Sequence, residues 1–175
     1  PRVSVVGKTK LQVSDALTMT NLQAEVMHEH MTSDMMHDAL RGDVLQALRL
    51  GPQASAEDKK SLQDDLAEHI KTLSEAQAFE RQAPVSTEIK VALADAAPKV
   101  VAYTKSAQGM VALAMEDTAK AEAAYTEFEK SFHDLEDKLG ALSDLINSAN
   151  DRIKDEADAD SSRSKILLIV VALVS

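Results

Sequence analysis

Apolar residues recur along this chain in alternating steps of three and four, and four such seams span most of its length. The longest runs Tyr125, Phe128, Phe132, Leu135, Leu139, Leu142, Ile146, Ala149 and Ile153. That spacing keeps side chains on one face of an α-helix and favours left-handed supercoiling against partner helices. A second seam runs Ile89, Leu93, Ala96, Val100, Tyr103, Ala107, Met110 and Ala114. Pro98 lies within it, which predicts a bend or a loosened turn. A shorter seam holds Leu62, Leu66, His69 or Ile70, Leu73 and Ala76. The earliest, Leu22, Val26, His30, Ser33, His37, Leu40, Val44 and Ala47, has three polar members.

The breaks between seams are short and carry stop and start signals. Gly51-Pro52 ends the first helix, and Ser55 with Asp58 three residues later reads as the N-cap of the second. Pro84 followed by Ser86-Thr87-Glu88 separates the second from the third, and Asp117-Thr118 is the cap for a tight turn into the fourth. The predicted helices are 8–49, 56–82, 87–115 and 118–175. Short connections force neighbours to run antiparallel, so the expected fold is all-α, an up-down-up-down four-helix bundle. Its first and fourth helices are long. The inner two span only about 40 Å at 1.5 Å per residue, and the surplus of the outer pair falls at the end that holds both termini.

Composition sharpens this picture. The 175 residues are 45% apolar with 3% aromatics, five Gly and four Pro, which fits long helices and excludes both disorder and an all-β domain. Net charge is −10 with no long basic run, so nucleic acid is not an expected partner. Without cysteine there are no disulfides, thiol nucleophiles or thiolate metal sites. The last residues, Ile166 to Val174, are nine successive apolar positions. Fewer than the roughly 20 needed to cross a bilayer, they read as the start of a transmembrane helix cut short, or as a terminal segment buried in the core. Val3 to Val6 reads as the tail of an earlier span, and a chain starting at Pro1 reads as a fragment of a longer one. The expected division is a bundle domain over 1–165 and a truncated membrane helix over 166–175. Asp151 to Asp160, with five acids against two bases, reads as a solvated helix face between the two.

This arrangement of two long outer helices, two short inner ones, termini on one side and an apolar run closing the fourth resembles the ligand-binding region of bacterial methyl-accepting chemotaxis proteins of the four-helix-bundle type. Met36-His37-Asp38-Ala39-Leu40-Arg41-Gly42-Asp43-Val44-Leu45 resembles the first-helix segment of such receptors. The resemblance covers most of the chain. It implies a sensor domain in the periplasm, held at the inner membrane by flanking transmembrane helices, homodimeric through its first helix and signalling through its fourth. It also implies a small acidic ligand, an organic acid or amino acid, held by first-helix arginines.

The residues of the first helix give that expectation names. Met27, Met31 and Leu45, with the aliphatic stems of Arg41 and Arg49, form a second apolar stripe about 100° to 150° from the seam. It is the candidate dimer interface, and surface methionines are the alternative. Arg41 lies between the stripes with Asp34, His37 and Asp38 within two turns, and Gly42 beside it leaves space. A guanidinium binds a carboxylate through two parallel hydrogen bonds, so Arg41, His37, Asp38 and Asp34 are the candidate ligand site. The alternative pairs Arg41 with Asp38 or Asp34 on its own helix. Arg49 is a second candidate, with Tyr125, Phe128 and Thr126 expected to face it.

A metal reading of the His- and Met-rich stretch from Met27 to His37 is weakened by geometry. His28 and His30 project about 200° apart, and His30 and His37 are separated by about 10.5 Å of rise. Thr32 stands where a His-Glu-x-x-His motif needs its second histidine. His30 with Asp34, or a site shared between chains, stays open; histidines packed in the seam, able to respond to acid, are the main expectation. No metal and no cofactor is called for. No phosphate loop, nucleophile elbow or paired carboxylate is present, so no enzyme activity is expected. The leading expectation is the sensor domain of a chemoreceptor. The alternatives are the sensor domain of a histidine kinase or diguanylate cyclase, or a structural or lipid-binding bundle without ligand.

Overall fold

The computed structural model describes the backbone of residues 2–174 and the side chains of residues 18–156, 158 and 159. The described residues form four α-helices, α1 (Arg2–Leu50), α2 (Ala56–Gln82), α3 (Thr87–Glu116) and α4 (Thr118–Val174). The start of α1 is the one boundary that moves appreciably from expectation, from residue 8 to Arg2. No proline or cap interrupts the chain there, so the helix simply continues. The apolar segments Val3–Val6 and Ile166–Val174 fall on residues whose side chains lie outside the described ones. Among the described residues no helix is long and apolar enough to cross a membrane.

Each turn is closed by the chemistry its residues carry. Gly51 adopts φ 63° and its N–H bonds the Ala47 carbonyl at 2.9 Å, the left-handed stop that glycine accepts without a Cβ penalty. A Cβ there would sit 2.8 Å from Thr118 Oγ1, so the α1–α2 turn and the α3–α4 turn press together at one end of the bundle. Ser55 accepts the Asp58 N–H at 3.0 Å, Ser86 accepts that of Ile89 at 3.4 Å, and Asp117 accepts that of Lys120 at 3.1 Å. The exposed Asp117 carboxyl is held below its ordinary range first by that backbone hydrogen bond and then by the Lys120 side chain. α3 runs unbroken across Pro98.

Cross-helix pairs fix the topology. His30 meets Glu80 and Asp43 meets His69, so α1 and α2 are antiparallel. Arg41 meets Glu129 while His30 meets Ser143, and Lys99 meets Asp134 while Lys138 meets Asp95, so α4 is antiparallel to both α1 and α3. α1 packs against all three other helices. The fold is therefore the four-helix bundle that the seams predict. Every member of the α3 seam is buried, as are six of the nine on α4, with Tyr125, Ala149 and Ile153 half-buried. At the end of the α2–α3 connection α1 and α4 continue for about another 20 residues each.

The interior is not one core. A distal cluster of 17 buried residues holds Tyr103, Phe128 and Phe132 together with leucines of α1, α2 and α4. A proximal cluster of six, Val26, Ala83, Ile89, Leu93, Leu142 and Ile146, lies near the α2–α3 connection. Between them sits a layer of buried polar side chains: His30, Ser33, Gln77 and Glu80.

Candidate functional site

Arg41 is on α1 at the boundary with α4, one flank of the buried stripe. Its Nε and Nη2 donate to Oε1 and Oε2 of Glu129 at 2.8 and 2.9 Å. The Tyr125 hydroxyl, one turn back on α4, donates to Glu129 Oε1 at 2.6 Å. The guanidinium carbon also lies 4.7 Å from the centre of the Phe132 ring, within cation–π range. Glu129 is held below the ordinary carboxylate range, first by the Arg41 hydrogen bonds and, against the opposing effect of burial, by Tyr125. Arg41 is correspondingly pushed up by Glu129. With side chains 38% and 21% exposed, the pair is reachable by solvent.

This overturns the expected pairing of Arg41 with Asp38 or Asp34. The physical reason is reach: the fork of Arg41 matches a carboxylate across the helix interface in two parallel bonds, which neither i−3 nor i−7 on its own helix supplies. Tyr125, expected near Arg49, serves Glu129 instead, Phe128 is buried against Tyr103, and Thr126 is exposed. Arg49 is exposed at the end of α1.

The other predicted residues divide sharply. His37 is 1% exposed; its Nε2–H donates to the Phe132 carbonyl at 3.0 Å and its ring stacks on Phe132 with centroids 4.1 Å apart. Burial holds it below the ordinary imidazole value, against the opposing pull of the Phe132 carbonyl and nearby Asp38. Asp38 and Asp34 are exposed, with Asp38 Oδ1 3.8 Å from His37 Nδ1. Arg41 and His37 thus meet on the Phe132 ring, Asp38 reaches the edge of His37 from the exposed side, and Asp34 and Arg49 make no contact with the pair. In the candidate interface Met31 and Leu45 are 62% and 46% exposed and Met35 61%, while Met27 is half-buried against the proximal core. Gly42 on the same face is exposed, with open space where a Cβ would lie.

Sequence reasoning missed the partners. Glu129 carries only the weak signal of a Tyr125 four residues before it. Glu80 continues the α2 seam beyond Leu73 and Ala76, and a buried His30 across from it needs a polar neighbour. His30 Nδ1 lies 3.1 Å from Glu80 Oε1 and its Nε2 2.7 Å from Ser143 Oγ. The Nδ1–H tautomer satisfies both, donating to the carboxylate and accepting the hydroxyl proton. Gln77 Nε2 donates to Ser33 Oγ at 3.2 Å and to Glu80 Oε2 at 2.9 Å, while Gln77 Oε1 is buried without a partner. His30 is therefore engaged by Glu80, not by Asp34 as the metal reading required. Asp43 is also buried, 2.8 Å from His69 Nδ1, and burial raises its carboxyl above the ordinary value despite that contact. Among the described residues no group of three or more histidines and carboxylates is arranged to hold a metal ion.

The arrangement at Arg41 joins α1 to α4 through a carboxylate already seated in the guanidinium fork. Set against known proteins, the chain matches no family model, no curated protein and no solved structure.

Proposed function

We propose that this domain is the ligand-sensing periplasmic region of a bacterial chemoreceptor, anchored in the inner membrane and dimeric through α1. The observation that supports this most is the two-pronged bond between Arg41 of α1 and Glu129 of α4, reinforced by Tyr125. It ties together the two helices that run on past the α2–α3 connection. A small organic acid or amino acid placing its carboxylate on Arg41 displaces Glu129 and removes that tie. Contacts that differ between the tied and untied states are what let a ligand shift the balance between them. A sliding displacement of α1 against α4 is then the signal. The exposed Met31, Met35 and Leu45 with Gly42 between them form the face on which a second copy packs, and the domain acts without catalysing a reaction.

A thermal-shift screen of organic acids and amino acids tests the reading, run on the wild type, Arg41→Ala and Glu129→Gln. A ligand at a hundredfold excess over its Kd stabilises the fold by about 2.7 kcal/mol. Arg41→Ala abolishes the shift, and Glu129→Gln, which removes the competing carboxylate, strengthens it. Acids that stabilise Arg41→Ala as well as the wild type, or none that stabilises either the wild type or Glu129→Gln, would sink the proposal.

A further inference from the structure

Where the α2–α3 connection crosses between α1 and α4, the structure holds a cavity of about 150 Å³. Its origin lies in the seams. Ala149, which lines it, occupies a position of the α4 seam where its neighbours one and two turns earlier are Ile146 and Leu142. The missing methylenes leave space that the neighbouring side chains do not fill. Leu22 and Val26 of α1, Ile89 of α3, and Ile146 and Ile153 of α4 form its walls, with Val85 from the connection. Gln23 and Asn150, each carrying a side-chain amide, also line it, and among the described residues every one that lines it is uncharged.

We propose that this cavity is a binding site for a small, uncharged ring compound of about the size of benzene carrying one hydroxyl or carbonyl group. An apolar cavity of about this volume accepts a benzene-sized ring, and because this one opens to the surface on one side a ligand enters by displacing its water. The two amides supply hydrogen-bonding groups for a single polar substituent on the ligand. Among the described residues no cation lines the cavity itself to balance the desolvation of a carboxylate, and the adjoining Lys154 is matched by Asp158, so acids bind more weakly. The site is thus separate from Arg41 in position and opposite in charge preference, and it does not rest on the chemoreceptor reading. Its location matters: Val26 is one turn from His30 and Ile146 three residues from Ser143, the pair joining α1 to α4 in the polar layer. A ring wedged between Val26 and Ile146 therefore bears directly on the α1–α4 spacing.

The test uses the whole chain with labelled Ile, Leu and Val methyl groups, titrated with benzyl alcohol and with benzoate as its charged counterpart. Saturable methyl shifts at Ile89, Ile146 and Ile153 are expected with benzyl alcohol, with at least tenfold weaker binding of benzoate. Arg41→Ala retains a saturable benzyl alcohol site with the same methyl shifts, so this result and that of the acid screen stand independently. Ala149→Leu fills the void and abolishes binding. Should that variant fail to fold, Ile153→Ala enlarges the cavity and shifts preference towards a two-ring alcohol. Shifts that never saturate, shifts spread equally over the distal leucines, equal binding of benzoate, or an enlarged variant with unchanged preference would each overturn the proposal.

Discussion

The two cores of this bundle are built to different standards. The distal one has 17 buried residues, including all three buried large aromatics, and ends in a turn where Gly51 and Thr118 are in close approach. The proximal one has six, it opens into a cavity beneath the α2–α3 connection, and three of the aliphatic walls of that cavity, Leu22, Val85 and Ile153, are only half-buried. Burying a Leu or Phe side chain fully contributes about 1.5–3 kcal/mol, so most of the apolar stabilisation resides in the distal half. Local stability follows local contact density. The bundle is held firmly at the tip and loosely where α1 and α4 leave it.

The largest expected effect is Phe132→Ala, which removes the ring on which both His37 and Arg41 lie. The loss is about 3–5 kcal/mol in chemical denaturation, whereas Ile146→Val in the proximal core costs about 0.5–1.5 kcal/mol. A proximal substitution of that modest size matching Phe132→Ala would erase the contrast between the cores.

The polar layer between them comes next. Glu80→Ala orphans the Nδ1–H of His30 and one of the two bonds of Gln77, a cost of about 1–3 kcal/mol for the buried donor in addition to the void. Replacing the whole layer together, with His30→Leu, Ser33→Ala, Gln77→Leu, Glu80→Leu and Ser143→Ala, is expected to leave stability unchanged or raise it, since an apolar layer has no desolvation cost. Thermal melts of the two variants decide whether the layer holds the cores together or merely separates them. A fivefold variant less stable than Glu80→Ala would refute its assignment as an expendable spacer.

The helices, their caps and the faces they bury were readable in the sequence because periodicity and punctuation are local. The boundaries of α2 match residue for residue, and every member of the α3 seam is buried. What periodicity does not contain is axial register between helices. Periodicity puts Arg41 at the edge of the core, but whether it meets Asp38 on its own helix or Glu129 on α4 depends on how far α4 slides along α1. The same limit hid Glu80 and Ser143, although three polar members in the α1 seam showed that partners were needed somewhere. Asp43 was hidden for another reason: it flanks the core on the α2 side, where a face-by-face count expects solvent.

The smallest effect is the pH dependence of the distal core, and its sign follows from His37. Burial keeps its folded-state pKa below the ordinary imidazole value of about 6.5, so the ring stays neutral on Phe132 under conditions where the unfolded chain already takes up a proton. Above that ordinary value both states are neutral and His37 contributes no pH dependence. As pH falls below about 6.5 the unfolded state binds the extra proton, and stability is lost at up to about 1.4 kcal/mol per pH unit until the folded-state pKa is reached. Asp43 acts with the opposite sign in a more acidic window: its raised pKa means that the folded state binds the extra proton, so stability falls as pH rises from its ordinary value through the folded one. His37→Phe preserves the stack on Phe132 while removing the titration, so the wild type minus variant difference isolates the imidazole from every other group. Denaturation free energies of the two proteins between pH 7.5 and 5 are expected to converge or cross as the wild type weakens. Parallel curves over that range would mean that the imidazole gains a proton in the folded core as readily as in water, and that the distal half is less tightly closed than its packing indicates.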